Sequence, residues 1–561
     1  MSERLEEASL FDNSEGLNHA PKGPFLSAYE NLSIGNNPAS NFFNSFMNDD
    51  EGDSNEPDDV GYNYKQDLRR QLSVKSVIGL GFGILGVIFG ISSSLWIPLI
   101  DGANVSVLYG WIIVAFFSIC VVLSLSEIIS MYPTSGGIYH FSSILSNEKY
   151  TLLSSWFTGW FQLIGNWTYT ISVVFSGARF ILSLFGLRDS NYKENMFFIL
   201  GTYFIVLGIC GIINYRFARY LERINIACVF WTIYTVIAID FLLILFSKKT
   251  NTITDILTKF ENRSGWPDPV SFLVSLQGPA FTLSGYGMLF SMTEEVKNPQ
   301  KNMPKGAISA TVISSIVGLI FILPILTILP ELTTLLNKNS EVMPIDLIFK
   351  FATESYLTSL MLAFLLAGTV FFQAIAALTA ASRTTFAFAR DNGLPFREYW
   401  IEIDSVETDT VPKNALFLSM GVCGIFSLLF LVSLSVYDVF MGVSVITLAL
   451  ANGIPILCLM LNNRQKLRGS TFNLGKSGWV FNSLSVFWVI FLSVILCLPP
   501  VLQNFTWKKM NYSSVAIFIL LVALTISYST WGRKSFRGPQ PVSQYVELPN
   551  IAATSEGMSG R

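Results

Sequence analysis

Two apolar stretches of the chain carry glycines and hydroxyl side chains where a simple membrane anchor would carry only apolar residues. The first contains Gly86 and Gly90 and runs into Ser92, and the second contains Gly285 and Gly287. Each interior glycine costs a helix roughly 1 kcal/mol relative to alanine, and backbone groups freed inside a membrane need new partners. A helix interrupted there exposes N–H and C=O groups to a small polar solute. The pattern therefore predicts a binding site at two interrupted membrane helices.

The side chains next to these interruptions are candidates for contact with the bound molecule. We expect backbone groups at 86–92 to hold a carboxylate, because a helix that restarts there presents a partially positive N-terminus, and residues 284–286 to form the opposite wall. Packing is the alternative for the glycines and for each aromatic residue. The predicted binding residues are Gly86, Phe89, Gly90, Ser92, Trp167, Tyr169, Arg179, Phe281, Ser284, Gly285 and Tyr286.

Two ionisable residues, Arg179 and Asp240, lie inside apolar stretches, where a charge is costly and is by default a functional hypothesis. Arg179 either extends its guanidinium to water at the outer membrane face or binds a distal substrate carboxylate with two hydrogen bonds. Asp240 either pairs with Arg179, binds a substrate amine or carries a proton. The sequence leaves these alternatives open.

Further charged residues lie at the ends of apolar stretches. Glu127 ends one stretch, and Glu294 and Glu295 end another. We expect the two adjacent glutamates to pair with basic residues such as Arg383 in an inner gate or a structural network. We expect Glu127 to stabilise an inner loop, with proton coupling as the alternative. The coupling or gate candidates are therefore Asp240, Glu127, Glu294, Glu295 and Arg383.

The composition indicates an integral membrane protein. Of 561 residues, 51% are hydrophobic and only 13% are charged, against about 25% charged in soluble domains. The sequence shows no nucleophile–base pair, metal-ligand cluster or cofactor motif, so we expect no enzyme, no metal or cofactor and no nucleic-acid partner. Apolar runs long enough to cross a bilayer predict twelve spans, of which spans 1 and 6 are the interrupted ones. The predicted spans are 76–100, 107–131, 154–184, 195–215, 226–247, 268–293, 306–330, 356–381, 415–434, 437–460, 479–501 and 513–531.

Polar tails flank the spans. Residues 1–72 are acidic and rich in Asn, Ser and Gly, a composition that does not fold alone; such a tail could recruit trafficking or ubiquitination machinery, and a solvated tail without partners is the alternative. The loops on the membrane face that holds the N-terminus contain more Lys and Arg than those on the other face. This bias predicts that both termini are cytosolic. The predicted organisation is a disordered tail 1–72, a first repeat 73–247, a second, inverted repeat 268–460, two last spans within 479–531, and a tail 532–561.

Four motifs at the expected positions resemble those of the amino acid–polyamine–organocation permeases. Any one is a modest signal, but four in the right order are strong. They are Glu127–Tyr139 after span 2, Glu294–Pro304 after span 6, Ser382–Pro395 after span 8 and Val411–Ala415 before span 9. Residues 472–476, 499–500 and 510–512 are similar to the fungal branch of the family, and residues 155–168 are most similar to its polyamine and biotin-precursor carriers.

The resemblance implies an all-α, LeuT-like fold of five spans, an inverted repeat of five more, and two peripheral helices. It implies a secondary transporter in the plasma membrane, in contact with the membrane lipids. This transporter would use the proton gradient to import a small molecule. The favoured substrate is an amine-containing carboxylic acid, 7-keto-8-aminopelargonate, for biotin biosynthesis.

One position departs from part of the family. Carriers of choline and γ-aminobutyrate have an acidic residue two positions after the small residue aligned with Gly285, and this chain has Gly287 there. The difference argues against those two substrates, although permeases of choline, γ-aminobutyrate or polyamines remain the alternatives. A polyamine carrier would need a carboxylate-lined cavity. A nutrient sensor that uses the fold without transporting is a further alternative.

Overall fold

The computed structural model describes residues 68–134, 136–187, 193–246, 251–335, 342–406, 409–467, 469–502 and 511–538. Within these ranges, eleven helices are long and apolar enough to cross a membrane. They coincide with predicted spans 1–5 and 7–12. Their bounds are Val74–Ile100, Ala103–Met131, Glu148–Gly186, Met196–Arg216, Ala218–Phe246, Pro299–Ile328, Tyr356–Arg390, Lys413–Leu431, Val436–Leu461, Gly475–Ile495 and Ser513–Ser535.

Predicted span 6 consists of shorter pieces. Asp268–Ser275 and Gln277–Thr282 are α-helical, and Ser284–Glu295 is a 3-10 helix of 12 residues. Runs of 3-10 helix longer than three or four residues are uncommon and often mark a hinge or a strained stretch. Span 6 is therefore interrupted as predicted, and its change of helix type falls at Leu283, two residues before Gly285.

Span 1 is interrupted at a single glycine. It comprises the helices Val74–Leu85, Val87–Ser94 and Trp96–Ile100, and Gly86 between the first two has φ +47°. Glycine adopts this left-handed conformation without the steric cost of a side chain. The helix before the break contacts Ser284–Glu295, and the helix after it contacts Gln277–Thr282. The two interrupted spans thus pack half against half at the centre of the bundle.

Burial separates the central spans from the peripheral ones. The most apolar 18-residue window of span 1 is 78% buried, whereas that of span 12 is 11% buried. Span 3 packs against spans 8 and 10. Span 12 leaves Phe518 and Ile519 exposed, as expected of a helix whose outer surface faces lipid. Spans 1, 3, 8 and 10 each contact the interrupted part of span 6.

Short elements join the spans. The loop helices are Ile138–Leu145, Ile253–Thr258, Leu332–Leu335, Pro344–Thr353 and Arg397–Trp400, with a 3-10 turn at Gln465–Leu467. Strands β1 (Asp404–Val406) and β2 (Asp409–Val411) pair antiparallel. Gly137, in the motif after span 2, has φ +58°, and a Cβ there would lie 2.7 Å from the Phe290 carbonyl oxygen. This glycine lets the loop approach span 6 closely.

The segment before span 1 is attached to the end of span 6. The amide of Leu72 donates to the Glu295 carbonyl at 2.9 Å, and the amide of Lys297 donates to the Leu72 carbonyl at 3.1 Å. Leu72 and Val296 form a parallel bridge. Residues 68–72, which we predicted as part of the disordered tail, are therefore held in place by main-chain hydrogen bonds. The rest of that tail, with its predicted trafficking role, lies outside the described residues.

Candidate functional site

The break in span 1 exposes two carbonyl groups that side chains from spans 3 and 8 bind. Tyr169 donates its hydroxyl hydrogen to the Ile84 carbonyl at 2.8 Å. Gln373 Nε2 donates to the Tyr169 hydroxyl at 2.9 Å and approaches the Leu85 carbonyl at 3.4 Å. All of these groups are buried. The backbone groups freed at Gly86 are thus satisfied by protein groups that a polar ligand could replace.

Gln373 was not among the predicted site residues. Its side chain packs directly on Gly86, where a Cβ would collide with it, and its Oε1 has no hydrogen-bond partner among the described residues. The only sequence signal was a lone amide in an apolar span, which carries no charge. Nothing in the sequence indicated that span 8 turns this face toward the break.

Residues just after the break form regular helix, which corrects part of the prediction. Gly90 is not at the interruption; it packs on span 6, where a Cβ would come within 2.6 Å of Thr282 Cγ2. Ser92 Oγ donates to the Ile88 carbonyl of its own helix at 2.7 Å, so its proton is already used. Phe89 packs edge-on against Phe180 at 5.9 Å between ring centroids. The first N–H groups after Gly86 are the ones that a carboxylate could bind.

The predicted residues of span 6 divide between two sides of that helix. The Phe281 ring lies 5.5 Å from the Tyr169 ring, and a Cβ at Gly285 would lie 3.4 Å from the Tyr169 hydroxyl; both face span 1. Ser284 and Tyr286 instead line a small cavity shared with spans 2, 10 and 11. It has room for roughly one water molecule. Of the residues 284–286 that we predicted as the wall opposite span 1, Gly285 faces span 1, whereas Ser284 and Tyr286 face the cavity on the other side of span 6.

Trp167 lies outside the group of residues around the break. Its Nε1 donates to Ser419 Oγ at 3.2 Å, and Ser419 belongs to span 9. Trp167 and Tyr169 are two positions apart, so on a helix their side chains point about 200° apart. In this structure the Trp167 indole therefore contacts span 9 and not the break in span 1, and its contact with a bound molecule stays a prediction.

Arg179 has a carboxylate partner other than the one considered. Its Nε and Nη2 both bind Glu194, at 3.0 and 2.9 Å to Oε1, and Nη2 also binds Oε2. Glu194 lies before span 4, and the Arg179 side chain is 25% exposed. Pairing of Arg179 with Asp240, one of the alternatives that the sequence left open, is not found between these two described residues. Asp240 is buried, and its Oδ1 has no partner in the described part of the chain.

The acidic residues at the end of span 6 pair with basic residues of span 8. Arg383 Nε donates to Glu295 Oε1 at 2.8 Å, and Arg390 Nη1 donates to Glu294 Oε2 at 3.3 Å. The amide of Leu68 also donates to Glu294, at 3.0 Å. These contacts join span 8 and the segment before span 1 to span 6. The predicted pairing of Glu295 with Arg383 is found, and its role as an inner gate or as a structural network stays a prediction.

Glu127 makes an analogous contact at the end of span 2. Both of its carboxylate oxygens accept hydrogen bonds from Arg464 Nη2, at 2.6 and 2.7 Å, and Oε1 also accepts from the Leu474 amide. The Glu127 side chain is fully buried. This arrangement ties span 2 to the loop between spans 10 and 11.

Two buried carboxyl groups outside the spans were not predicted. Asp101, between spans 1 and 2, accepts from Ser271 Oγ at 2.9 Å. Asp346, on the loop helix Pro344–Thr353, accepts from Ser183 Oγ. Burial raises the pKa of each to about 7. Acidic residues in loops are normally hydrated, so no sequence pattern predicted the burial of these two.

Sequence comparisons with known proteins give matches over most of the chain. A sequence model of the family "Amino acid permease" matches residues 72–523. The chain is 34% identical to the polyamine transporter TPO5 of Saccharomyces cerevisiae, over 90% of this chain and 82% of that protein. It is 34% identical to the amino-acid permease BAT1 of Arabidopsis thaliana, over 85% and 94%. It is 28% identical to the choline transporter of Saccharomyces cerevisiae, over 87% and 86%.

Proposed function

Because the chain belongs to the amino acid permease family, we propose that it imports an amine-containing carboxylic acid by proton symport. Membership makes the chain a multi-pass membrane transporter of small molecules and not an enzyme. The substrate class, the coupling ion and the direction of transport are the content of the proposal.

The observation that carries the proposal is the pair of opposed helix ends at Gly86. The helix that ends at Leu85 presents carbonyl groups of partial negative charge, and the helix that starts at Val87 presents N–H groups of partial positive charge. A hydrogen-bond donor of the substrate fits the first end and a carboxylate fits the second. During transport, the substrate would take over the carbonyl contacts that Tyr169 and Gln373 make in this structure.

The uncharged surroundings of the break support a zwitterionic substrate over a polycation. The side chains around the break are Tyr169, Gln373 and Phe281, and none of them ionises near neutral pH. A zwitterion adds no net charge to such a site. 7-keto-8-aminopelargonate, the substrate favoured from the sequence, is one member of this class.

A polyamine is the second candidate, because TPO5, at 34% identity, is named as a polyamine transporter. The amine ends of a polyamine would require carboxylates, and Asp240 is the acidic residue of the described spans that is buried without a basic partner. The same residue is the candidate for the coupled proton.

We place the protein in the plasma membrane with both termini in the cytosol, following its distribution of basic loop residues.

Uptake into liposomes tests the proposal. Purified protein is reconstituted and given labelled 7-keto-8-aminopelargonate or labelled spermidine, with and without an inward proton gradient. Gradient-dependent accumulation of the acid supports the proposal, and accumulation of spermidine alone supports the second candidate. Absence of accumulation of any amine or amino acid in a broad panel would contradict transport and favour a sensor. Asp240→Asn should abolish the response to the gradient while leaving exchange of substrate across the membrane.

A further inference from the structure

Span 10 places an unsatisfied amide beside the interrupted part of span 6. Asn452 is fully buried. Its side chain lies near the Tyr286 hydroxyl, but neither its Oδ1 nor its Nδ2 makes a hydrogen bond of normal geometry among the described residues. Leaving a buried donor or acceptor unpaired costs about 1–3 kcal/mol. Such a group in a folded protein calls for an explanation, and a role in binding a polar ligand is one.

The amide lies on the face of span 10 that lines the cavity beside span 6. Val445 and Ala449 of span 10 line the cavity together with Ser284 and Tyr286. Asn452 follows Val445 and Ala449 at positions i+7 and i+3, so it lies on the same face of the helix. The Tyr286 hydroxyl lies beside the Asn452 side chain. The amide therefore extends the row of groups that faces the cavity.

Asn452 also occupies the space that a side chain at position 287 would take. A Cβ at Gly287 would collide with Oδ1 and Nδ2 of Asn452. Position 287 is the one at which an acidic residue is expected in choline and γ-aminobutyrate carriers. With glycine at 287, span 10 supplies a neutral amide where span 6 would otherwise supply a charge.

We propose that Asn452 is a substrate-binding residue that selects a monoamine carrying a neutral oxygen acceptor near the amine, as in an amino ketone. An amide offers one acceptor and one donor group. Its Oδ1 would accept a hydrogen bond from the substrate ammonium, and its Nδ2 would donate to the neutral oxygen. The inference rests on the proposed function, and it adds the group that recognises the amine end of the substrate.

The neutrality of the amide gives it selectivity. A site built to hydrogen-bond a polar group discriminates strongly against an analogue that leaves its buried groups unpaired. A second or third ammonium of a polyamine gains no countercharge from Asn452, whereas an aspartate there would provide one. Exchanging the amide for a carboxylate should therefore change which substrate is preferred.

The test compares the KM for uptake of 7-keto-8-aminopelargonate and of spermidine in the full-length protein and its variants. Asn452→Ala should raise the KM for the amino ketone about tenfold or more, equivalent to at least about 1.4 kcal/mol, with little change in Vmax. Asn452→Asp should shift preference toward spermidine. The matched control is Ser444→Ala, on the same span, whose hydroxyl is already bonded to the Met441 carbonyl and which should leave both KM values unchanged.

The outcomes separate this inference from the proposed function. If wild-type protein carries spermidine instead of the amino ketone, the proposed substrate class fails. The KM for spermidine of Asn452→Asp is then compared with that of the wild type, and an unchanged KM overturns the role of Asn452, because an added carboxylate at a substrate-binding position would attract a bound amine. If Asn452→Ala does not fold, Asn452→Ser, which keeps a small hydroxyl, is measured in its place. A wild-type KM and wild-type selectivity in all the variants that fold would show that Asn452 only fills space.

Discussion

Arg383 binds Glu295 with 2.8 Å between Nε and Oε1, and this contact joins the ends of spans 8 and 6. The arginine side chain is 3% exposed and the glutamate side chain 12% exposed. Two main-chain hydrogen bonds from Gln71 and Leu72 to the Glu295 carbonyl attach the segment before span 1 to the same residue. Three parts of the bundle thus meet at Glu295, and any opening of this end must separate them.

Removal of one member of this pair should destabilise the protein strongly. Arg383→Ala leaves the buried Glu295 carboxylate without its partner, and breaking a buried pair costs about 3–5 kcal/mol; because Glu295 retains some access to water, we expect the lower end. Thermal unfolding in detergent should show a clear fall in Tm. The control is Lys413→Ala, which removes an ion pair with Asp404 whose two side chains are each 38% exposed, and which should leave Tm almost unchanged. Equal effects of the two variants would contradict a structural role of the Arg383 pair.

Gly86→Ala should impair both folding and transport. Alanine at φ +47° adopts a left-handed conformation that costs about 1–2 kcal/mol, and its Cβ would collide with the Gln373 side chain. We expect a lower Tm and a loss of most uptake activity. The control is Gly201→Ala in span 4, where a Cβ meets no atom within 4 Å and the better helix propensity of alanine should leave Tm unchanged or raised. Normal uptake by Gly86→Ala would show that the break is dispensable.

The sequence predicted the positions of the interruptions and of the charged ends, because both depend on local chemistry. A glycine such as Gly86 in an apolar helix has a backbone cost wherever the helix packs. Charges at the ends of neighbouring spans, such as Glu295 and Arg383, have few partners other than each other. Both predictions needed only the order of residues along the chain and the boundaries of the membrane.

The sequence did not predict the direction in which each side chain points around its helix axis. Trp167 and Tyr169 both lie in span 3, yet they bind groups on spans 9 and 1 respectively. The partner of Arg179, Glu194, lies in a loop between spans. Gln373 and Asn452 are amides in apolar spans with no charge to mark them. Their importance depends on which neighbours the packing of spans 6, 8 and 10 brings to them.

The pH dependence of stability should report the buried carboxyl of Asp346. Its pKa is about 7 in the folded protein because of burial, against an ordinary value of 3.8. Between these two values the folded protein keeps a proton that the unfolded chain has lost, so the free energy of unfolding falls as pH rises from about 4 to about 7. The slope is at most about 1.4 kcal/mol per pH unit. Above pH 7 this contribution is constant.

Asp346→Asn, which cannot ionise and can still accept from Ser183, removes this contribution. Its Tm should exceed that of the wild type by an amount that grows from pH 5 to pH 7.5. The measurement is thermal unfolding in detergent across that range for both proteins. Parallel curves would show that Asp346 is already ionised in the folded protein.

Tyr169 and Gln373 should be energetically coupled at the break. Tyr169→Phe leaves the Ile84 carbonyl without its shortest hydrogen bond and removes an acceptor for Gln373. We expect the free energy of unfolding to fall by about 1–3 kcal/mol. In a double-mutant cycle, Tyr169→Phe and Gln373→Leu together should cost less than the sum of the two single changes, with a coupling of at least about 0.5 kcal/mol. The matched control is Tyr203→Phe, which removes an equally buried hydroxyl bonded to the Cys423 carbonyl and should be additive with Gln373→Leu. Additivity in both cycles would mean that the two side chains bind the break independently.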